Sequence, residues 1–135
     1  MVLVRIGEKM KINDKPWGKE MIIVDTEKYA MKRLLIKAGH RLSMQFHTDR
    51  DKTVYVHKGT LQLDLSRDSS ESNIVDLEEG HIWRILPRAI HRFAASSEQD
   101  VELLEVSTPN LDDVFRLSDD YGRPTINEGR KGGGI

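Results

Sequence analysis

The sequence predicts an all-β fold, a sandwich or small closed β-barrel, and three observations predict it. Short runs rich in β-branched and aromatic residues recur along the chain, each ended by a turn signal. Several runs alternate apolar and polar residues with period two, which marks one buried and one wet face. The chain has 135 residues, 38% hydrophobic and 32% charged, which is enough for one core and too few for two.

The elements follow in order. Met21-Ile22-Ile23-Val24 and Tyr29 to Ile36 are apolar-rich runs separated by a polar turn. Leu42-Ser43-Met44-Gln45-Phe46-His47 alternates with period two, and Thr53 to His57 is β-branched and aromatic before it stops at Lys58-Gly59. Leu61, Leu63 and Leu65 alternate with Gln62 and Asp64. Ser66 to Asn73 reads as a loop, and Ile74 to Leu77 as a strand running into a turn at Glu78-Glu79-Gly80. Further strands are expected at Ile82 to Leu86, Ile90 to Ala94 and Val101 to Val106, and Asp112 to Leu117 reads as the one helical turn. Strands at this spacing suggest a closed all-β architecture. The expected division is an N-terminal arm or strand at 1–13, one domain at 14–123, and a flexible, glycine-rich tail at 124–135.

Composition narrows the function. A formal charge of −1 gives no field that would gather nucleic acid or anionic lipid, so neither is an expected partner. No apolar run approaches a bilayer span, and Met1 to Ile6 is too short for a secretory signal. With 0 cysteines there is no disulfide framework, thiolate nucleophile or thiolate metal site, which fits a cytoplasmic location. Any metal would need His, carboxylate or amide ligands.

The chemistry sits in the histidines. Gln45 and His47 are two apart on one strand and project from the same face. His91 lies on a later strand, after a turn at Pro87, and inward positions from different strands of a small barrel converge. His47 and His91 are therefore expected to face each other inside the barrel. Neutral imidazole is the commonest metal ligand, and an amide oxygen is a weaker companion. Taken alone, two strand histidines are more often core or surface residues.

The spacing from Gly39 through Gln45, His47 and Lys52 to Gly59 resembles the first cupin motif, and Gly80, Pro87 and His91 resemble the second. Leu86 and Arg88 stand in the usual Pro and Gly places of that second motif, and Ala95 in the Asn place. Lys15-Pro16-Trp17-Gly18, Met31-Lys32-Arg33, Gly39 to His47, Gly59-Thr60, Ile90-His91-Arg92 and Asp119-Asp120-Tyr121-Gly122-Arg123 occur in order. Together they resemble the C-terminal cupin domain of type II mannose-6-phosphate isomerases, a domain often fused to a mannose-1-phosphate guanylyltransferase. The resemblance covers about Asp14 to Arg123. It implies a jelly-roll-like, double-stranded β-helix (RmlC-like) that interconverts mannose 6-phosphate and fructose 6-phosphate. In such a reaction a divalent cation, zinc, manganese or nickel, would stabilise the enediolate as a Lewis acid.

Carried over by position, Gln45, His47 and His91 match family metal ligands, but Lys52 stands where the family has its glutamate ligand. A charged ammonium has no lone pair and repels a cation. Three readings stay open. The neutral ligands bind metal alone, Lys52 swings away, or Lys52 itself occupies the cation's place in a metal-free pocket for polar or anionic ligands. The resemblance assigns catalytic roles to Arg50 and Glu105, and a neutral Lys52 is a further candidate base. It places Lys32 and Arg33 near the sugar, one of them facing outward, and Tyr121 and Arg123 at a mouth of the barrel. Trp17 and Trp83 read as packing residues, and His40, His57 and His81 as surface residues. The expected partner is a sugar phosphate, bound by a homodimer. The alternatives are a non-catalytic cupin that binds a carbohydrate-like ligand and, least favoured, a cupin oxygenase or decarboxylase, which would want the missing carboxylate.

Overall fold

Alternation along the strands becomes two faces in space. In the computed structural model, which describes residues 9–66 and 73–126, eleven strands are seen among the described residues. They are β1 (Lys11–Lys15), β2 (Gly18–Asp25), β3 (Ala30–Ile36), β4 (Met44–Phe46), β5 (Lys52–Lys58) and β6 (Leu61–Asp64). They continue as β7 (Ile74–Leu77), β8 (Ile82–Ile85), β9 (Arg92–Ala95), β10 (Val101–Ser107) and β11 (Phe115–Ser118). A six-stranded antiparallel sheet, β1-β2-β3-β10-β5-β8, packs against two smaller sheets, β7-β6-β9 and β11-β4. A bridge between Gln45 and His91 ties the two smaller sheets together. The architecture is the expected double-stranded β-helix.

One expectation needs correction. The segment read as a helical turn, Asp112 to Leu117, is a turn followed by β11, which pairs with β4. Phe115 there meets Phe46 with ring centroids 5.3 Å apart, a cross-strand aromatic pair that favours the strand. Of the arm or strand expected at 1–13, Lys11–Lys15 is an edge strand paired to β2 that runs two residues past that boundary. Residues 1–8 of that arm, 67–72 of the expected loop and 127–135 of the expected tail lie outside the described residues.

The interior has two ends of opposite character, and the register shows why. Inward positions of β3 are Ala30, Lys32, Leu34 and Ile36, those of β5 are Lys52, Val54 and Val56, and those of β10 are Val101, Leu103 and Glu105. Leu103 sits opposite Leu34 and Val56, whereas Glu105 sits opposite Lys32. One end is thus an apolar layer, closed by Phe93, Leu61 and Leu63 from the smaller sheet. Burying each such side chain stabilises the fold by roughly 1.5–3 kcal/mol. The other end is charged, and it is the end that β4 and the segment after it cover.

Two glycines hold the close approaches that this closure needs. Gly18 has φ 150°, and a side chain there would run into the carbonyl of Leu35. Gly59 has φ 82°, and a Cβ would meet the Asp100 carbonyl at 2.5 Å. Gly18 ends the turn that seats Trp17, whose backbone carbonyl accepts from Lys37 N.

Candidate functional site

His47 follows β4, with its ring centroid 5.1 Å from that of His91, and both rings are buried as expected. His47 Nδ1 lies 2.6 Å from the carbonyl of Asp113. A carbonyl only accepts, so Nδ1 carries the hydrogen and Nε2 is the acceptor, and Arg50 Nη2 donates to it at 3.1 Å. Burial, together with the charges of Lys52 and Arg50, holds His47 well below the ordinary imidazole range, so it stays neutral. His91 donates from Nδ1 to the Ala89 carbonyl at 2.9 Å, and burial with Lys52 lowers it to about 3. Its Nε2 has no protein partner.

The turn that delivers His91 is held in an uncommon conformation. Arg88, in the glycine place of the second motif, has φ 69°, and its N–H donates to the His47 carbonyl at 2.6 Å. That bond fixes the approach of the two histidines.

Glu105 is the centre of the charged layer. It lies 3.0 Å from Lys52 Nζ, 3.7 Å from Lys32 Nζ and 4.0 Å from Arg50 Nη2, and is 1% exposed. Burial alone would raise its carboxyl, but Lys52, Lys32 and Arg50 outweigh it and hold Glu105 ionised far below the usual range. Lys52 is pushed below the ordinary lysine value by burial and by Arg50 and Lys32, with Glu105 opposing. Its ammonium also stands 4.8 Å above the Phe93 ring.

The remaining residues divide by face. Lys32 points inward and bonds Glu20 at 3.0 Å, while Arg33 points outward to Glu102 and does not line the cavity. Arg33 is thus the outward-facing member of the pair, of which one was expected to face outward. Arg123 lines the cavity, bound to Asp119 at 2.8 Å, but Tyr121 does not and instead packs against the core beside His40. Trp17 both packs and lines the cavity. His40, His57 and His81 are exposed.

Asp113 was missed by the sequence reading. Its carboxylate accepts from Thr48 N at 2.9 Å, Thr48 Oγ1 at 2.8 Å, Asp49 N at 2.9 Å and Arg50 N at 3.2 Å. It thereby pins the segment that carries His47 and Arg50. No local signal marks it, because its partners are more than sixty residues away in sequence.

The barrel cavity, about 60 Å³, has room for several water molecules or one compact polar group. Six basic side chains line it against two carboxylates, Glu20 and Glu105. Burial would raise Glu20, but Lys32 and Lys15 bring it down to about 2. Its stabilising share is complete above its unfolded value near 4.5 and is lost as pH falls towards 2. Acidification from pH 6 to pH 2 is expected to remove about 3 kcal/mol through this group, and urea midpoints of Glu20→Gln should lack that component.

A divalent cation does not fit this donor set. His47 Nε2 is occupied by a guanidinium and the fourth ligand position holds the Lys52 ammonium, so the Gln45 amide oxygen and His91 Nε2 are left as neutral ligands beside two cations. Among the described residues, no group of three or more His, Cys, Asp and Glu is arranged to hold a metal.

Comparison with known proteins agrees with the fold and the motifs. Over 112 residues, 81% of this chain, it is 30% identical to the alginate biosynthesis protein AlgA of Pseudomonas aeruginosa. It is 32% identical over 112 residues to the mannose-1-phosphate guanylyltransferase of Escherichia coli. The chain spans about a fifth, 22%, of the length of each. An RmlC-like cupin from Shewanella frigidimarina superposes with a TM-score of 0.64 at 17% identity, over 79% of this chain and 90% of that one. The capsular polysaccharide assembling protein CapF of Staphylococcus aureus superposes at 0.68 with 14% identity, over 81% of this chain and 34% of that one. No helix among the described residues is long and apolar enough to cross a membrane. Residues 7–119 match the family model described as mannose-6-phosphate isomerase C-terminal, and the chain belongs to that family of cupin domains.

Proposed function

We propose that this cupin binds a sugar phosphate, or a closely similar anionic carbohydrate, in a metal-free barrel. The observation that carries the reading is the pair of protein cations at the centre. Lys52 Nζ sits 3.0 Å from Glu105, and Arg50 covers His47 Nε2, so a charge of two is already supplied by side chains. The surplus of basic residues around the cavity favours an anionic ligand. Membership of the isomerase family supports a phosphorylated hexose as its class.

Mass spectrometry on untagged protein exposed to zinc, manganese or nickel is expected to find far less than one ion per chain. Calorimetry should show mannose 6-phosphate binding to the same sample. Near-stoichiometric metal would overturn the metal-free reading.

A second reading, the isomerase, is favoured by Glu105. A buried carboxylate inside the cavity is placed to take a proton from the carbon next to a carbonyl, although the three cations around it make it a weak base until a ligand draws one of them away. Lys52→Glu separates the two. The binding reading expects new metal affinity without interconversion of mannose 6-phosphate and fructose 6-phosphate. Turnover by the wild type or by this variant would establish the isomerase instead.

A further inference from the structure

The buried polar atoms around the barrel cavity have open hydrogen-bonding capacity of both signs. Trp17 Nε1 and Arg50 Nε are buried donors with no partner among the described residues, and both residues line the cavity. His91 Nε2 is a further buried acceptor without a partner among the described residues, but His91 lies behind the cavity wall and does not line it. Glu105, also lining the cavity, can only accept.

The chemistry of an incoming group follows by elimination. A phosphate or carboxylate would satisfy Trp17 and Arg50 but has nothing to donate to Glu105, and its charge would face that carboxylate. A metal ion would suit Glu105 but would meet Lys52 and Arg50. A hydroxyl accepts and donates at once, and it carries no charge. Satisfying buried groups of this kind is what makes a polar pocket selective.

The exposure of the basic residues gives the direction. Arg50 and Lys52 are 2% and 4% exposed, whereas Lys15 is 32% exposed at the rim. Arg116 also lines the cavity, and its Nε has no protein partner. Anionic chemistry therefore belongs at the rim and hydroxyl chemistry at the floor.

We infer that the ligand enters ring first, with one ring hydroxyl read at the floor by Trp17, Arg50 and Glu105, and its anionic group held at the rim by Lys15 and Arg116. This rests on the carbohydrate-binding reading above, and it makes Trp17 a specificity-determining residue.

The test is calorimetry on the whole protein with three probes: mannose 6-phosphate, mannose and inorganic phosphate. Trp17→Phe keeps an aromatic ring and removes the donor. It is expected to weaken mannose 6-phosphate and mannose about tenfold while leaving phosphate unchanged. Lys15→Met should do the reverse, weakening mannose 6-phosphate and phosphate but not mannose. Loss of phosphate binding in Trp17→Phe, with mannose unaffected, would mean that the anionic group lies at the floor and would overturn the inference alone. Failure of the wild type to bind either sugar would overturn the carbohydrate reading itself.

A second readout does not depend on the folding of the Trp17 variant. In Trp83→Phe, Trp17 is the sole tryptophan of the 2 in the chain. Its emission should shift with mannose and mannose 6-phosphate and stay fixed with phosphate. A shift with phosphate alone would again refute ring-first binding.

Discussion

Glu105→Gln is expected to destabilise the fold by about 3–5 kcal/mol, the cost of leaving buried charge without its partner. Three cations, Lys52, Lys32 and Arg50, share this one carboxylate, although Lys32 also has Glu20 at 3.0 Å. The same count predicts an asymmetry. Lys52→Met removes one cation from a surplus and leaves Glu105 with two others, so it should change stability by less than about 1 kcal/mol. Urea unfolding of both single variants and the double variant Lys52→Met/Glu105→Gln measures the coupling. The double variant should recover part of the loss. Equal costs for the two single changes would show that the ion pair, not the charge surplus, governs the layer.

Asp113→Ala should lower stability by about 3 kcal/mol, because three backbone N–H donors lose a buried acceptor at once. It should also weaken sugar-phosphate binding more than its stability cost explains. Asp113 holds the N–H groups of Thr48, Asp49 and Arg50, so the guanidinium on His47 is placed through it. It is a positioning residue, and Asp113→Asn separates its two roles. One oxygen remains to accept, while the new NH₂ faces N–H groups that also donate, so the variant should fall between wild type and alanine in both urea midpoint and affinity. An unchanged affinity in Asp113→Ala, in protein that remains folded, would refute the positioning role.

Much of this was legible because strand alternation is a local property. Nine of the eleven strands overlap the expected runs with ends within three residues, since Leu61, Leu63 and Leu65 or Val101, Leu103 and Glu105 reveal their faces within a few residues. Of the other two, β1 is open between arm and strand in the sequence and β11 reads there as a helical turn, and pairing with β2 and β4 is what makes them strands. The histidine pair was legible from motif spacing. The state of the pair was not. Whether His47 offers Nε2 to a ligand depends on Arg50, and Arg50 depends on Asp113, contacts that sequence spacing does not encode. Arg33 and Tyr121 show the converse, for they stand in motif positions yet face away from the cavity.

The placement of Glu105 on β10, between β3 and β5, also bears on how the chain finds its pairing. Were β10 to slip by one residue, Glu105 would turn to solvent and Leu104 would enter the charged end in its place. Lys32 and Lys52 would then lie in the interior with no anion between them. The apolar residues of these strands are similar enough to tolerate exchange, so they discriminate weakly among alignments. The buried charges do not tolerate it, and they act as a proofreading device that raises the energy of misaligned sheets more than it lowers that of the correct one.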